Sequence, residues 1–212
     1  MRLVLASHNA KKLTELRVML GGLAVELVAQ GELGISEAEE PHATFIENAL
    51  AKARHAATAC GGAAFADDSG VCVDALAGEP GVVSAHYAGV PAGAVDAAAG
   101  REALRRVQDA ANNELLLRRL QGVADRRAHF VCTLVAVRHA QDPQPLVAVG
   151  RWPGEILRAP RGDLGFGYDP LMFIPELGRT VAEMDATLKN THSHRARAMV
   201  QMLGLLREVW RL

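Results

Sequence analysis

Aromatic residues are scarce in this 212-residue chain: two tryptophans, two tyrosines and five phenylalanines make up 4% of it. Two rings close together in the sequence therefore stand out. Cysteine is rarer still. Cys60, Cys72 and Cys132 are odd in number, lack zinc-ligand spacing and lie in apolar stretches. That points away from a disulfide or metal framework and towards reduced core thiols of a cytoplasmic protein. No apolar run is long enough to span a bilayer, so no membrane partner is expected. The apolar stretch from Met1 to Ala6 is too short for a signal peptide and reads as a first strand. Net charge is also missing. With a formal value of −1 the chain has no global attraction for nucleic acid, so any polyanion must be held by local groups. Half of the residues are apolar and 22% are charged, a soluble globular balance. The length suits one large domain or two interleaved lobes.

Against this background, Asp67-Asp68-Ser69-Gly70 stands out. Two adjacent carboxylates sit between the apolar runs Ala63–Ala66 and Val71–Val73, where a strand end is expected. If both ionise in one partly buried site, they repel and lose solvation. A divalent cation would remove that conflict. The alternative is a turn, because Asp and Ser bond nearby backbone amides and Gly70 would let the chain turn away.

The order of elements indicates an α/β protein with a mixed sheet. Leu3–Ala6 is a strand, and a helix with Leu13, Leu16, Val18 and Leu20 as its apolar residues follows Ser7-His8-Asn9. Val25–Val28 is a second strand. An acidic, irregular loop from Gly31 to His42 holds Glu37, Glu39 and Glu40. Thr44 and Glu47 form a capping box for a helix whose apolar residues recur to Ala57 and which Gly61-Gly62 end. Gly78–Gly93 reads as a surface loop. Residues 95–121 read as helical, with Asn112-Asn113 as an interruption. Ala128–Arg138 and Leu146–Trp152 read as a hairpin across Asp142-Pro143-Gln144-Pro145. Ala196–Trp210 is a final amphipathic helix.

Several motifs carry chemistry. Ser7-His8-Asn9-Ala10-Lys11-Lys12 lies where a strand gives way to a helix, and outward-pointing amides there favour phosphate. The other reading is a cap with two solvated lysines. Glu39 or Glu40 could complete a magnesium site with Asp68, since Mg²⁺ takes few carboxylates and keeps waters and phosphate oxygens. Lys52 reads as a phosphate contact or a surface lysine. Gly165-Phe166-Gly167-Tyr168-Asp169-Pro170 places both rings of a small cluster in a glycine-rich loop, a surface on which a planar base can stack. Lys189, His194 and Arg195 precede or open the last helix, and Ser193 is a candidate N-cap.

Together these segments, with Gly81-Val82-Val83-Ser84-Ala85, resemble the inosine/xanthosine triphosphate pyrophosphatases over nearly the whole chain. The resemblance implies one nucleoside-triphosphate pyrophosphatase domain over residues 1–212, with a long twisted mixed β-sheet flanked by helices. It also implies two lobes with the active-site cleft between them, and a homodimer. The reaction implied is Mg²⁺-dependent cleavage of a purine nucleoside triphosphate (ITP, dITP or XTP) to the monophosphate and pyrophosphate. By position, Asp68 resembles the general base or water-activating metal ligand, and Glu40 its metal partner. Ser7, His8, Asn9, Ala10, Lys11, Lys12 and Ser69 resemble triphosphate contacts, helped by Lys189. Phe166, Gly167, Tyr168 and Asp169 resemble the wall that receives base and sugar. His194 and Arg195 resemble readers of the 6-oxo edge. A related pyrophosphatase of different base preference, or a non-catalytic nucleotide-binding protein, are the alternatives.

Overall fold

The computed structural model describes residues 1–7, 10–89 and 100–212. Seven strands form one mixed sheet in the order β2-β1-β3-β4-β5-β6-β7: β1 (Arg2–Leu5), β2 (Glu26–Ala29), β3 (Ala64–Val73), β4 (Arg127–Val137), β5 (Leu146–Ile156), β6 (Met172–Ile174) and β7 (Arg179–Thr180). Among the described residues five α-helices accompany it: α1 (Ala10–Leu20), α2 (Phe45–Cys60), α3 (Gly100–Arg119), α4 (Ala186–His192) and α5 (His194–Val209). The chain divides into two compact units. The first holds Met1–Ser69, Cys132–Arg151 and Asn190–Leu212; the second holds Gly70–Val131 and Trp152–Lys189.

In the first unit β1 runs parallel to both β2 and β3, with Val4 opposite Ala64 and Leu5 opposite Phe65. Because side chains alternate along a strand, the two faces collect different partners. Leu3, Leu5 and Phe65 pack with Leu16 and Leu20 of α1 and with Met199, Met202 and Leu206 of α5. Val4, Ala6, Ala64 and Ala66 pack instead with Ala49, Ala53, Ala56 and Ala57 of α2. The small residues let that helix lie close to the sheet. Thr44 caps α2 as its sequence signature predicts, accepting from the Glu47 amide, and Gly61 closes it in the left-handed conformation. At Gly150 a Cβ would run into the His194 carbonyl and the Ala198 amide, so only glycine admits this approach of α5 to β5.

The second unit has its own core, in which Val71, Val73, Phe130, Trp152 and Ile156 pack with Leu116 and Leu120 of α3. Several sequence expectations change here. The strand carrying Asp67 and Asp68 does not end there; β3 runs through Gly70 to Val73. Strand β5 continues four residues beyond Trp152, with Pro153 lying before the stretch, Glu155 and Ile156, that pairs with β6. Helix α3 passes through Asn112-Asn113 unbroken, since both amides donate to loop carbonyls and neither competes for the helix's own backbone. Helix α5 starts two residues early, with Ser193 as its N-cap. Strands β6 and β7 and helix α4 are too short to show a period in the sequence.

Candidate functional site

Strand alternation decides how the two carboxylates behave. Asp67 shares the face of Phe65, and Asp68 shares that of Ala66. They do not compete for one site: each has its own counter-charge.

Asp67 is fully buried and accepts from four donors. Its Oδ1 takes Lys12 Nζ and Ser69 Oγ (2.7 Å); its Oδ2 takes Arg195 Nε (2.7 Å) and Cys132 Sγ (3.3 Å). Burial alone would raise its pKa, but Arg195 and then Lys12 outweigh that and hold the carboxyl well below the usual range. Arg195 is 1% exposed, and its Nη1 also donates to Glu15 Oε2 at 2.6 Å. Burial and the neighbouring Asp67 charge push the Cys132 thiol far up, so it stays protonated.

On the opposite face Lys52 Nζ donates to Asp68 Oδ1 (2.7 Å) and to Glu40 Oε2 (2.9 Å). Glu40, rather than Glu39, is thus the acidic-loop residue joined to Asp68. The capped helix α2 aims Lys52 at both. Burial pushes the Asp68 pKa up to about 6, with Lys52 opposing and Glu40 reinforcing the rise. For Glu40, burial is outweighed by the charge and hydrogen bond of Lys52, and its pKa falls. Asp68 Oδ2 is buried and has no hydrogen-bond partner. A buried carboxylate oxygen left without a donor is costly. A cation that takes one or two carboxylate oxygens would satisfy it. The described residues hold no cluster of three or more metal-ligating side chains, so such an ion would lean on its substrate for further oxygens.

A second cluster lies wholly in the second unit, on the loop Gly165–Asp169. Asp169 is buried, and its Oδ2 accepts from the Phe166 amide (2.9 Å) and from Lys189 Nζ (2.8 Å). Lys189 Nζ also stands 4.4 Å from the centre of the Phe166 ring, a cation–π contact. Gly165 has φ +80°, and a Cβ there would collide with Asp169 Oδ2. Of the two rings, Tyr168 is buried and its hydroxyl donates to the Ser84 carbonyl (2.9 Å). Only Phe166 keeps exposed surface.

The structure therefore brings together Lys12, Asp67, Ser69 and Arg195, then Glu40, Lys52 and Asp68, and separately Phe166, Gly167, Tyr168, Asp169 and Lys189. His194 is buried in the first turn of α5, beside Arg195 in the chain. Ser7 lies two residues beyond β1, its amide bonded to the Leu5 carbonyl. His8 and Asn9, and the side chains of Ala10 and Lys11, lie outside the described residues. Sequence reasoning missed Glu15, which carries no motif. It also missed Asp109 and Asn113, whose i, i+4 spacing was visible but whose loop partner was not.

Residues 3–205 match the model of the Ham1 family. A protein of Methylibium petroleiphilum named dITP/XTP pyrophosphatase is 70% identical over 99% of both chains. One of the same name from Leptothrix cholodnii is 66% identical over the full length of both. The solved structure of a HAM1 protein from Coxiella burnetii superposes with a TM-score of 0.87 at 40% identity, covering 99% of this chain and 100% of that one.

Proposed function

Since the chain belongs to the Ham1 family, we infer that it hydrolyses the non-standard purine nucleoside triphosphates ITP, dITP and XTP to the monophosphate and pyrophosphate. The observation that carries this reading is Asp68, buried on the α2 face of β3 with one oxygen on Lys52 and the other without a partner. Buried side-chain polar atoms are in the large majority paired, and an unpaired carboxylate oxygen is among the costliest exceptions.

Asp68 and Glu40 fit Mg²⁺, the cofactor proposed here: two carboxylates leave room for water and phosphate oxygens. When bound, the ion would neutralise the triphosphate and stabilise charge on the transferred phosphorus group. The chain's own residues supply the rest. Asp68 holds water in line with the α-phosphorus. Lys52, already shared between Asp68 and Glu40, neutralises phosphate charge. Ser7 to Lys12 and Ser69 receive the triphosphate, with the amides opening α1 and the charge of Lys12. Phe166 offers its face to the base, and Asp169 with Lys189 holds the loop that carries it. His194 reads the 6-oxo edge; three of the five Arg195 N–H groups are held by Asp67, Glu15 and Ser69, so Arg195 acts chiefly by fixing these partners. A donor set that favours a 6-oxygen leaves adenine mismatched, a difference worth roughly 1–3 kcal/mol per polar pair. We propose that residues 1–212 act as one catalytic domain, in a cytoplasmic homodimer; three cysteines free of disulfides support the cytoplasmic setting.

Pyrophosphate release from ITP, dITP, XTP and the four standard triphosphates, with and without Mg²⁺, tests this directly. Release from the first three that needs Mg²⁺ is the expected result. Release only from standard triphosphates would refute the base preference, and none from any would refute the activity.

A further inference from the structure

One face of helix α3 is polar where it is buried. Gln108 and Asn112 are both buried, and with Asp109 and Asn113 they form two i, i+4 rows. Their bonds run outward to two loops. Asn112 accepts from the Ala88 amide (2.9 Å) and donates to the carbonyls of Ser84 and Ala85 (3.1 Å each), while Gln108 donates to the Gly89 carbonyl (2.7 Å). Asp109 Oδ2 accepts from the Gly167 amide (2.8 Å), and Asn113 Nδ2 donates to the Gly167 carbonyl (2.9 Å).

The last pair brackets one residue. Gly167 sits between Phe166 and Tyr168 with φ +61°, and both of its main-chain polar groups are held by side chains one helical turn apart. A glycine here would otherwise swing freely, carrying the Phe166 ring with it. Phe166 itself is fastened to Asp169, by its amide to the Asp169 carboxylate and by its carbonyl to the Asp169 amide, and Lys189 stands over its ring. The Tyr168 hydroxyl reaches the Ser84 carbonyl that Asn112 also holds, so α3 governs the loop from Phe166 to Tyr168 at two points.

We propose that Asp109 and Asn113 are positioning residues that fix the Phe166 ring for stacking on the purine base, so that they set affinity for the base end of the substrate and leave its polyphosphate end untouched. This rests on the reading of Phe166 as the stacking ring. Preorganising a contact surface raises affinity by cutting the ordering cost on binding.

The test compares KM and kcat for ITP with the inhibition constant of tripolyphosphate, which has no base. Asp109→Ala removes a charge-assisted acceptor and should raise KM for ITP roughly tenfold, with kcat close to wild type. Asp109→Asn keeps an acceptor for the Gly167 amide and should restore KM to within about threefold. Tripolyphosphate inhibition should be unchanged in both. Phe166→Ala is the reference for the ring itself, and Arg118→Ala, which breaks an exposed pair with Glu114 on the same helix, controls for loss of helix stability. If Asp109→Ala does not fold, Asn113→Ala reads the same bracket from the carbonyl side, with a rise of roughly threefold. A raised KM in Phe166→Ala with an unchanged one in Asp109→Ala and Asn113→Ala overturns the inference and leaves the function standing. An unchanged KM in Phe166→Ala overturns the stacking reading and the inference with it. An equal loss for ITP and tripolyphosphate marks general distortion and overturns the inference alone.

Discussion

Asp68→Asn should make the metal-free protein more stable and less active. In the folded chain the Asp68 pKa is pushed up to about 6 from an ordinary 3.8, with burial as the first cause. The folded state therefore binds a proton between those values that the unfolded state has released. Stability from the neutral carboxyl is full below about 3.8 and is lost as pH rises through about 6. At about 1.4 kcal/mol per pH unit, ionising Asp68 at pH 8 costs the fold roughly 3 kcal/mol. The side chain is 8% exposed, so solvent screens little of that cost. Asparagine has nearly the shape of the protonated acid and never ionises. Lys52 keeps Glu40 as a partner when it is introduced. In urea with a chelator at pH 8, the variant midpoint should rise by on the order of 1 M. The gap should shrink to about half at pH 5 and nearly close at pH 4. Added Mg²⁺ should stabilise wild type more than the variant, and kcat should fall by roughly two to four orders of magnitude. A variant midpoint at or below wild type at pH 8, or a gap that does not vary with pH, would refute the reasoning.

The remaining expectations concern the neighbouring contacts. Arg195→Ala leaves Asp67 buried with one fewer cation and should cost about 3–5 kcal/mol in urea unfolding; a loss below about 1 kcal/mol would deny Arg195 that role. Gly165→Ala places a methyl against the Asp169 carboxylate at a positive φ, and should raise KM for ITP or unfold the loop by limited proteolysis; wild-type behaviour in both would mean the loop can shift. Cys132 should resist alkylation at pH 8 in the native state and react on unfolding, whereas the half-buried Cys60 and Cys72 react before it; prompt labelling of native Cys132 would contradict its burial beside Asp67.

Most of the fold was legible because it rests on local signals. The capping box at Thr44 and Glu47, the alternation along Phe130–Ala136 and the apolar period of α5 all found their elements. The errors share a cause. Asp67-Asp68-Ser69-Gly70 has turn chemistry, yet β3 runs through it because pairing within the sheet and salt bridges from two faces outweigh local preference. Asn112-Asn113 looks like a break only until its loop partners are known. Site chemistry was legible by residue type and not by pairing. Lys52 could be a surface lysine from sequence alone, and Arg195 a free reader of base edges; partners distant in the chain assign Lys52 to Asp68 and Glu40, and Arg195 to Asp67 and Glu15.

The opposed faces of β3 also bear on how this segment tolerates change in length. Val4 opposite Ala64 and Leu5 opposite Phe65 set the frame from which Asp67 and Asp68 are counted. A single residue inserted or deleted between Phe65 and Asp67 would turn every later side chain to the other face. Deleting Ala66 would bring Asp68 to Arg195 and Lys12 and leave Lys52 facing Ser69, whereas inserting a residue there would bring Asp67 to Lys52 and leave Arg195 and Lys12 facing an uncharged side chain. Substitutions here can be graded in effect, but a frame slip of one residue would leave one of the two cation groups without its carboxylate. Length should therefore be more strictly held than identity along this stretch of the strand.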